Sequence, residues 1–289
     1  MTATARQPSF RTILVLARAS NLPTVWSNCL AGWLLGGGGY WLQFVMLCSG
    51  ASLLYIGGMF LNDAFDVDFD RQWRRERPIP SNQISESEVW VWGSAFLVLG
   101  ILTLAIIGLQ TAVLSVLLAG CIVLYDAVHK AFTFSPVIMA ACRFLLYLVA
   151  ASTATFGITG VTIWSGLALA CYIVGLSYIA QRESARGPLR YWPCLFLAAP
   201  IGLALIVSPG PFLAPALYYS LIVAVWVLWC LNHTFGRTHR NIGYTVSGLL
   251  GGIVLVDLLA VLPGDPWLII TFAGLFLFSR IFQRFIPAT

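Results

Sequence analysis

Apolar stretches of about 17–23 residues, the length that spans roughly 30 Å of hydrocarbon as α-helix, follow one another along the whole chain. Ten such windows fall at 13–35, 41–62, 88–108, 111–126, 136–156, 162–180, 191–208, 212–231, 242–262 and 266–283. Short polar or Gly/Pro-containing breaks separate them, among them Gly36–Gly39, the charged stretch 63–88, His129–Pro136, Gln181–Arg190 and His233–Asn241. Barrel strands would be about half as long and would alternate apolar with polar. The pattern therefore predicts an all-α protein, a polytopic transmembrane helical bundle of nine or ten spans. No linker or low-complexity stretch divides it, so residues 1–289 are expected to form a single domain.

Composition agrees with that pattern. Hydrophobic residues make up 59% of the 289 and charged residues only 9%, against about 25% charged in soluble domains. So few charges cannot cover a water-exposed surface, and the chain must be solvated by lipid with its backbone polar groups paired internally. The sixteen Lys and Arg residues then sort by side. All lie at the N-terminus, the C-terminus, the even-numbered breaks or within about two turns of them. The other connections carry no Lys or Arg, only Asp265 with Asp257 just inside the ninth window. By the positive-inside rule both termini and the charged loops are cytoplasmic. The expected location is integral and multi-pass in a bacterial-type inner membrane, surrounded by membrane lipid, with no nucleic-acid partner. Arg18 and Asn21 interrupt the first apolar run after Arg6 and Arg11, which is wrong for a cleaved signal peptide. The seven cysteines are scattered singly through apolar windows and read as small core or lipid-facing residues. His129, His233 and His239 lie in separate loops or loop edges, so no zinc site is expected.

Chemistry concentrates at the end of the second window. Asn62, Asp66 and Asp70 stand at i, i+4 and i+8, with Asp63 beside them. If the helix runs on past the membrane surface they line one face. Like charges at that spacing repel, so the face calls for a cation. Mg²⁺ suits it, being a hard ion usually held by one or two carboxylates together with phosphate oxygens. Arg71, Arg74, Arg75 and Arg77 follow at once. Guanidinium is well shaped for phosphate oxygens, so such a face can hold a metal and an anionic phosphate together. A solvated acidic helix end beside ordinary positive-inside arginines is the plainer alternative.

The segment 62–85, ending in Arg77-Pro78 and Ile84-Ser85, resembles the first signature of the UbiA superfamily of intramembrane prenyltransferases, the group that includes 4-hydroxybenzoate polyprenyltransferase-like enzymes. That signature reads N-D-x-x-D-x-x-x-D, then a basic stretch, R-P and I-S, between the second and third helices. The resemblance implies a helical bundle around a central cavity open laterally to lipid. It implies an isoprenyl diphosphate donor held through Mg²⁺ and transfer of the prenyl group to a small aromatic or lipid-like acceptor. On that footing Asn62, Asp66 and Asp70 hold metal and diphosphate, and Lys130, after Tyr125, resembles the basic residue that contacts diphosphate. Arg18 and Asn21 fall where the family lines its pocket with polar groups.

The second signature of the family, Y-x-x-Q-D-x-x-x-D after the sixth helix, is altered here. Tyr178 and Gln181 are kept, but Arg182 and Arg186 stand at the two expected aspartates. Glu183 is the one acidic residue left there to supply a metal ligand. The departure resembles a divergent, EboC-like branch. Arg182 and Arg186, at i and i+4, are expected to bind diphosphate directly in place of a second Mg²⁺. Three readings remain open at this point: an active prenyltransferase, a non-catalytic lipid- or isoprenoid-binding protein of the same fold, and a transporter. Transporters place ionisable groups near the midplane, whereas most charges here gather at one interface.

Overall fold

The computed structural model describes residues 8–130, 132–184, 191–236, 240–262 and 264–287. Among them no β-strand occurs. Short α1 (Phe10–Leu16) opens the bundle, capped by the Ser9 hydroxyl, which accepts from the Thr12 N–H at 3.1 Å. α2 (Leu22–Leu35) follows at an angle, because Arg18 takes a left-handed backbone (φ 41°) and residues Ala19–Asn21 form a 3-10 turn. The first window is thus a broken pair of helices and not one straight span. A non-glycine residue in that conformation costs about 1–3 kcal/mol, which the contacts of its side chain offset.

α3 (Trp41–Phe65) and short α4 (Val67–Trp73) meet at Asp66. A Ser85/Glu88 capping box starts α5 (Glu86–Ala105), satisfying donors that a helix start leaves open. α6 (Leu109–Val128), α7 (Ser135–Ser152) and α8 (Gly160–Ser184) come next. The seventh window begins as a 3-10 segment, Trp192–Ala198, and ends as α9 (Ala199–Val207). Pro193 and Pro200 near the two starts lack the N–H an uninterrupted α-helix needs. α10 (Leu213–Phe235), α11 (Ile242–Val261) and α12 (Pro266–Phe282) complete the bundle; Asn241 and Asp265 cap the last two.

Among the described residues, seven helices are long and apolar enough to cross a membrane: α3, α5, α6, α7, α8, α10 and α11. The remaining windows are met by α1–α2, by the shorter Trp192–Val207 and by α12. Large apolar side chains such as Leu109, Ile206 and Leu228 point outward, as lipid solvation requires. Because lipid tails are as apolar as leucine, helices associate here through close packing. α3 and α5 show how. A Cβ on Gly57 would lie 2.9 Å from the Gly93 carbonyl oxygen, and one on Gly100 would lie 3.0 Å from that of Gly50. Those glycines bring the two backbones together and set the C-terminal end of α3 beside the loop that carries Arg77. α11 is the most enclosed of the seven and packs against α2, α8, α10 and α12.

Candidate active site

The acidic ladder is continuous in its backbone hydrogen bonds, even where α3 gives way to α4. The Asp66 N–H donates to the Asn62 carbonyl at 3.0 Å, and the Asp70 N–H donates to the Asp66 carbonyl at 2.9 Å. Asn62, Asp66 and Asp70 therefore occupy successive turns of one face. Asn62, Asp63 and Asp70 are buried, and Asp66 is partly buried.

Each rung has a different neighbour. Arg18 donates through Nη2 to Asn62 Oδ1 at 2.9 Å and to Asp63 Oδ1 at 3.3 Å. Arg77 reaches the same Asp63 oxygen at 3.0 Å. Asp63 is thus turned to two guanidiniums and orients them beside the ladder. Lys130 Nζ lies 2.7 Å from Asp66 Oδ1, with His129 Nε2 at 3.4 Å from the same atom, and the Lys130 ammonium sits 3.9 Å above the Phe69 ring. Burial pushes the Asp66 carboxyl up, but hydrogen bonds and charge from His129 and Lys130 outweigh it and hold the group below its ordinary value. For His129 burial pulls the other way, and the Asp66 contact raises it above the usual imidazole value. Burial lifts Asp70 above the carboxylate norm in spite of nearby Arg77.

Two residues that sequence reasoning passed over belong here. Asn62 Nδ2 donates to Asp126 Oδ1 at 3.0 Å, joining the ladder to the end of α6. His129 completes the contact on Asp66. Both lie within four residues of Lys130, and a lone carboxylate in the apolar window 111–126 was the available signal. Asp126 also lines a cavity of about 90 Å³ between α2, α3, α6 and α7. Leu54, Leu118 and Leu146 give that cavity apolar walls, while Tyr55, Tyr125 and Arg143 add polar groups. The ladder and the cavity thus meet at Asp126.

The other expected residues are spread more widely. Asn21 is buried near Arg18, and Gln283 approaches it at 3.5 Å. Arg71 points outward, pairing with Asp68 at 3.3 Å and Glu86 at 3.0 Å, with half of its side chain exposed. Tyr178 is half-buried on α8 against the main apolar core, and Gln181 donates to Ser135 Oγ at 2.8 Å. Arg186 lies outside the described residues, and so do the side chains of Arg182 and Glu183 on the last turn of α8.

Among the described residues, no three His, Cys, Asp or Glu side chains are gathered as a ready-made metal site. The chain's own cations instead occupy Asp63 and Asp66. Two buried carboxylate oxygens among those residues have no hydrogen-bond partner, Asp70 Oδ1 and Asp126 Oδ2. A buried carboxylate oxygen without a hydrogen-bond partner is costly, and hard oxygen donors of this kind fit a divalent cation such as Mg²⁺.

Fold and site together define an integral membrane helical bundle with a cationic and acidic face at one end of an apolar cavity. The chain belongs to the UbiA prenyltransferase family, which it matches over residues 21–244. It is similar to the digeranylgeranylglyceryl phosphate synthase of Methanothrix thermoacetophila, 31% identical over 120 residues, which is 40% of this chain and 44% of that protein. The match therefore spans less than half the length of that relative. A solved structure of a digeranylgeranylglyceryl phosphate synthase in membranes has a TM-score of 0.61 at 20% identity, covering 87% of this chain and 96% of that one. A UbiA homologue from Archaeoglobus fulgidus bound to GPP and Mg²⁺ has a TM-score of 0.54 at 15% identity, covering 95% and 97%. At such identities these two likenesses concern the fold.

Proposed function

We propose that this protein is a prenyltransferase that moves a prenyl group from an isoprenyl diphosphate to a small aromatic or lipid-like acceptor inside the membrane. The observation that carries the reading is the Asn62–Asp66–Asp70 ladder, flanked by Arg18, Arg77 and Lys130 and joined through Asp126 to an apolar cavity. The family, the synthase relative and the GPP and Mg²⁺ held by the Archaeoglobus homologue support it.

Asn62, Asp66 and Asp70 would hold Mg²⁺, which supplies Lewis-acid stabilisation of a departing diphosphate. The rest of the work falls to the chain. In the transfer the donor's allylic C–O bond breaks, the diphosphate leaves with the electron pair, the acceptor bonds to the allylic carbon, and the acceptor gives up a proton. Arg18, Arg77 and Lys130 neutralise the charge that concentrates on the leaving group, in a site whose low dielectric strengthens the attraction. The leucine-lined walls of the cavity give the allylic cation an apolar surrounding, poor in the water that would otherwise capture it. Tyr55 and Tyr125 on its wall offer ring faces to developing positive charge, worth about 0.5–2 kcal/mol each.

The assay is direct. Purified protein is given radiolabelled geranylgeranyl or farnesyl diphosphate, with and without Mg²⁺, and pyrophosphate release is followed. Metal-dependent release is the expected result. Tight donor binding without release in the presence of candidate acceptors would instead favour a non-catalytic isoprenoid-binding protein, a reading that draws on the loss of the second aspartate pair.

Two further features complete the proposal. Arg182 and Arg186 take over from a second metal: a prenyl diphosphate carries close to three negative charges, of which one Mg²⁺ offsets two. Replacing both by Ala should weaken donor binding by roughly 2–4 kcal/mol, at about 1.5–3 per charge-assisted bond and allowing for exposure; parent-like binding would end the idea. Both termini and the site face the cytoplasm, as the sorting of basic residues implies. Single cysteines at Gly38 and Gly160 should label from outside intact cells, and labelling at Asn82 would reverse the orientation.

A further inference from the structure

A second polar cluster is buried among the spans, and the reaction as derived above makes no use of it. Asp257 on α11 is fully enclosed. Its Oδ2 accepts from Ser27 Oγ at 2.5 Å and from Asn28 Nδ2 at 2.8 Å, and its Oδ1 accepts a short bond from the Tyr147 hydroxyl. The same Asn28 uses its Oδ1 to accept from Arg143 Nη1 at 2.6 Å. Thr24 adds two more acceptors to Arg143, its carbonyl at 3.3 Å and its hydroxyl at 3.1 Å. Three helices, α2, α7 and α11, are joined in one chain of bonds running from a carboxylate to a guanidinium.

Ionisable residues inside membrane spans are costly, and they persist where they face a cavity or a partner. Asp257 has partners on both oxygens. Arg143 is different, because it is the member of the cluster that reaches the cavity wall. A guanidinium has five donors, and three bonds to Thr24 and Asn28 engage only part of that set. Asn28 cannot turn without breaking its bond to Asp257, so the relay fixes the plane of the guanidinium as well as its place. On the same cavity, Asp126 Oδ2 is buried without a donor. The cavity therefore offers an oriented cationic donor from α7 and an unpartnered carboxyl oxygen from α6, set in otherwise apolar walls.

We propose, resting on the prenyl-transfer reading above, that Arg143 binds and orients the acceptor. That acceptor carries an oxyanion, a carboxylate or a phosphate, which takes the remaining donors of Arg143, and a hydroxyl that donates to Asp126 Oδ2. Asp257, Asn28 and Tyr147 are positioning residues that hold Arg143 in register without touching the acceptor. The arrangement is selective in a simple way: an acceptor of the same shape without the oxyanion leaves the Arg143 donors unpaired in an apolar wall.

The test is equilibrium binding to the purified full chain in lipid nanodiscs, with no donor present. The probes are 4-hydroxybenzoate for an aromatic carboxylate, a dialkylglyceryl phosphate for a lipid phosphate, and phenol as the uncharged counterpart. One of the two oxyanions is expected to bind at least 10-fold more tightly than phenol, and which of them does so identifies the source of the oxyanion. Arg143→Lys keeps the charge but loses the planar fork and should weaken that binding about 10-fold. The paired variant Arg143→Met with Asp257→Asn removes both buried charges together, so the fold is not left with one of them unbalanced. It should weaken oxyanion binding roughly 10- to 100-fold, while leaving the weaker binding of phenol, which has no oxyanion to lose, within 2-fold of the parent. Parent-like oxyanion binding by the two variants overturns the proposal, as does phenol binding as tightly as both oxyanions. Because no donor enters, a failure of pyrophosphate release elsewhere would count against the transfer reaction and leave this site standing.

Discussion

Two sets of buried carboxylates in this molecule are held in opposite ways. Asp257, deep among α2, α7 and α11, has both oxygens bonded to donors from three side chains. Asp70 and Asp126, at the end of the acidic ladder and on the cavity wall, each keep one buried oxygen without any donor. Burial alone is similar, since all three residues are nearly inaccessible. The difference lies in satisfaction. Buried polar groups are almost always hydrogen-bonded, so a saturated carboxylate is part of the architecture and an unsaturated one marks the place where a cation or a donor from a ligand enters.

The strongest way to break that comparison is to neutralise the acidic ladder, in which Asp66 is held by Lys130 and His129 and Asp70 keeps the oxygen without a donor. Asp66→Asn and Asp70→Asn should each lower kcat on the order of 10²–10³-fold, in line with the loss of one preorganised electrostatic contact in a dry site, with Mg²⁺-dependent donor binding lost as well. Thermal unfolding of both variants in detergent should stay near that of the parent, and for Asp70→Asn no native hydrogen bond to its orphaned oxygen is sacrificed. Turnover like the parent in both would reduce the ladder to a solvated helix end.

The converse experiment removes the saturated side. Asp257→Ala strands three donors, from Ser27, Asn28 and Tyr147, in the interior. Hydrogen bonds between membrane helices average about 0.6 kcal/mol each, with a maximum near 1.7, and unpaired buried donors add a penalty. A loss of about 2–4 kcal/mol in unfolding free energy is expected, read from reversible denaturation in mixed micelles. Should Asp257→Ala leave stability unchanged while Asp70→Asn unfolds the protein, the distinction between the two kinds of carboxylate is wrong.

Much of this plan is written in the chain, and the parts that are not share a cause. Lipid imposes span length and apolar composition, so the windows found by hydrophobicity meet helices at all ten places, seven of them long enough to cross unaided. The ladder is legible because Asn62, Asp66 and Asp70 are neighbours in one helical face, and local spacing fixes that. The break at Arg18 is not legible, since it depends on partners 44 and 45 residues away. Arg143 reads in the sequence as one more positive-inside residue and Asp257 as a stray acid near the opposite side. Only packing reveals that Asn28 links them. Asp126 was hidden for the same reason: its bond to Asn62 spans 64 residues.

The smallest predicted effect concerns Arg71 and refines the comparison from the cationic side. Four arginines follow the ladder in sequence, and residue type alone does not separate those that serve the site from those that only make the loop basic. Arg77 is mostly buried and donates to buried Asp63, where burial holds its guanidinium below the usual value. Arg71 lies about half exposed and pairs with Asp68 and Glu86, which are themselves open to water. Exposed pairs of that kind contribute about 0.2–1 kcal/mol and weaken further with salt. Arg71→Ala should therefore lower stability by less than about 1 kcal/mol and leave donor affinity within about twofold, a span of roughly 0.4 kcal/mol. Arg77→Ala, measured beside it, should weaken donor binding at least tenfold, because a buried charge-assisted contact to diphosphate is worth about 1.5–3 kcal/mol. Isothermal titration with a non-hydrolysable prenyl diphosphate analogue reads both. If Arg71→Ala proves as damaging as Arg77→Ala, the basic stretch acts as one patch and the outward pairing of Arg71 gives way when donor binds.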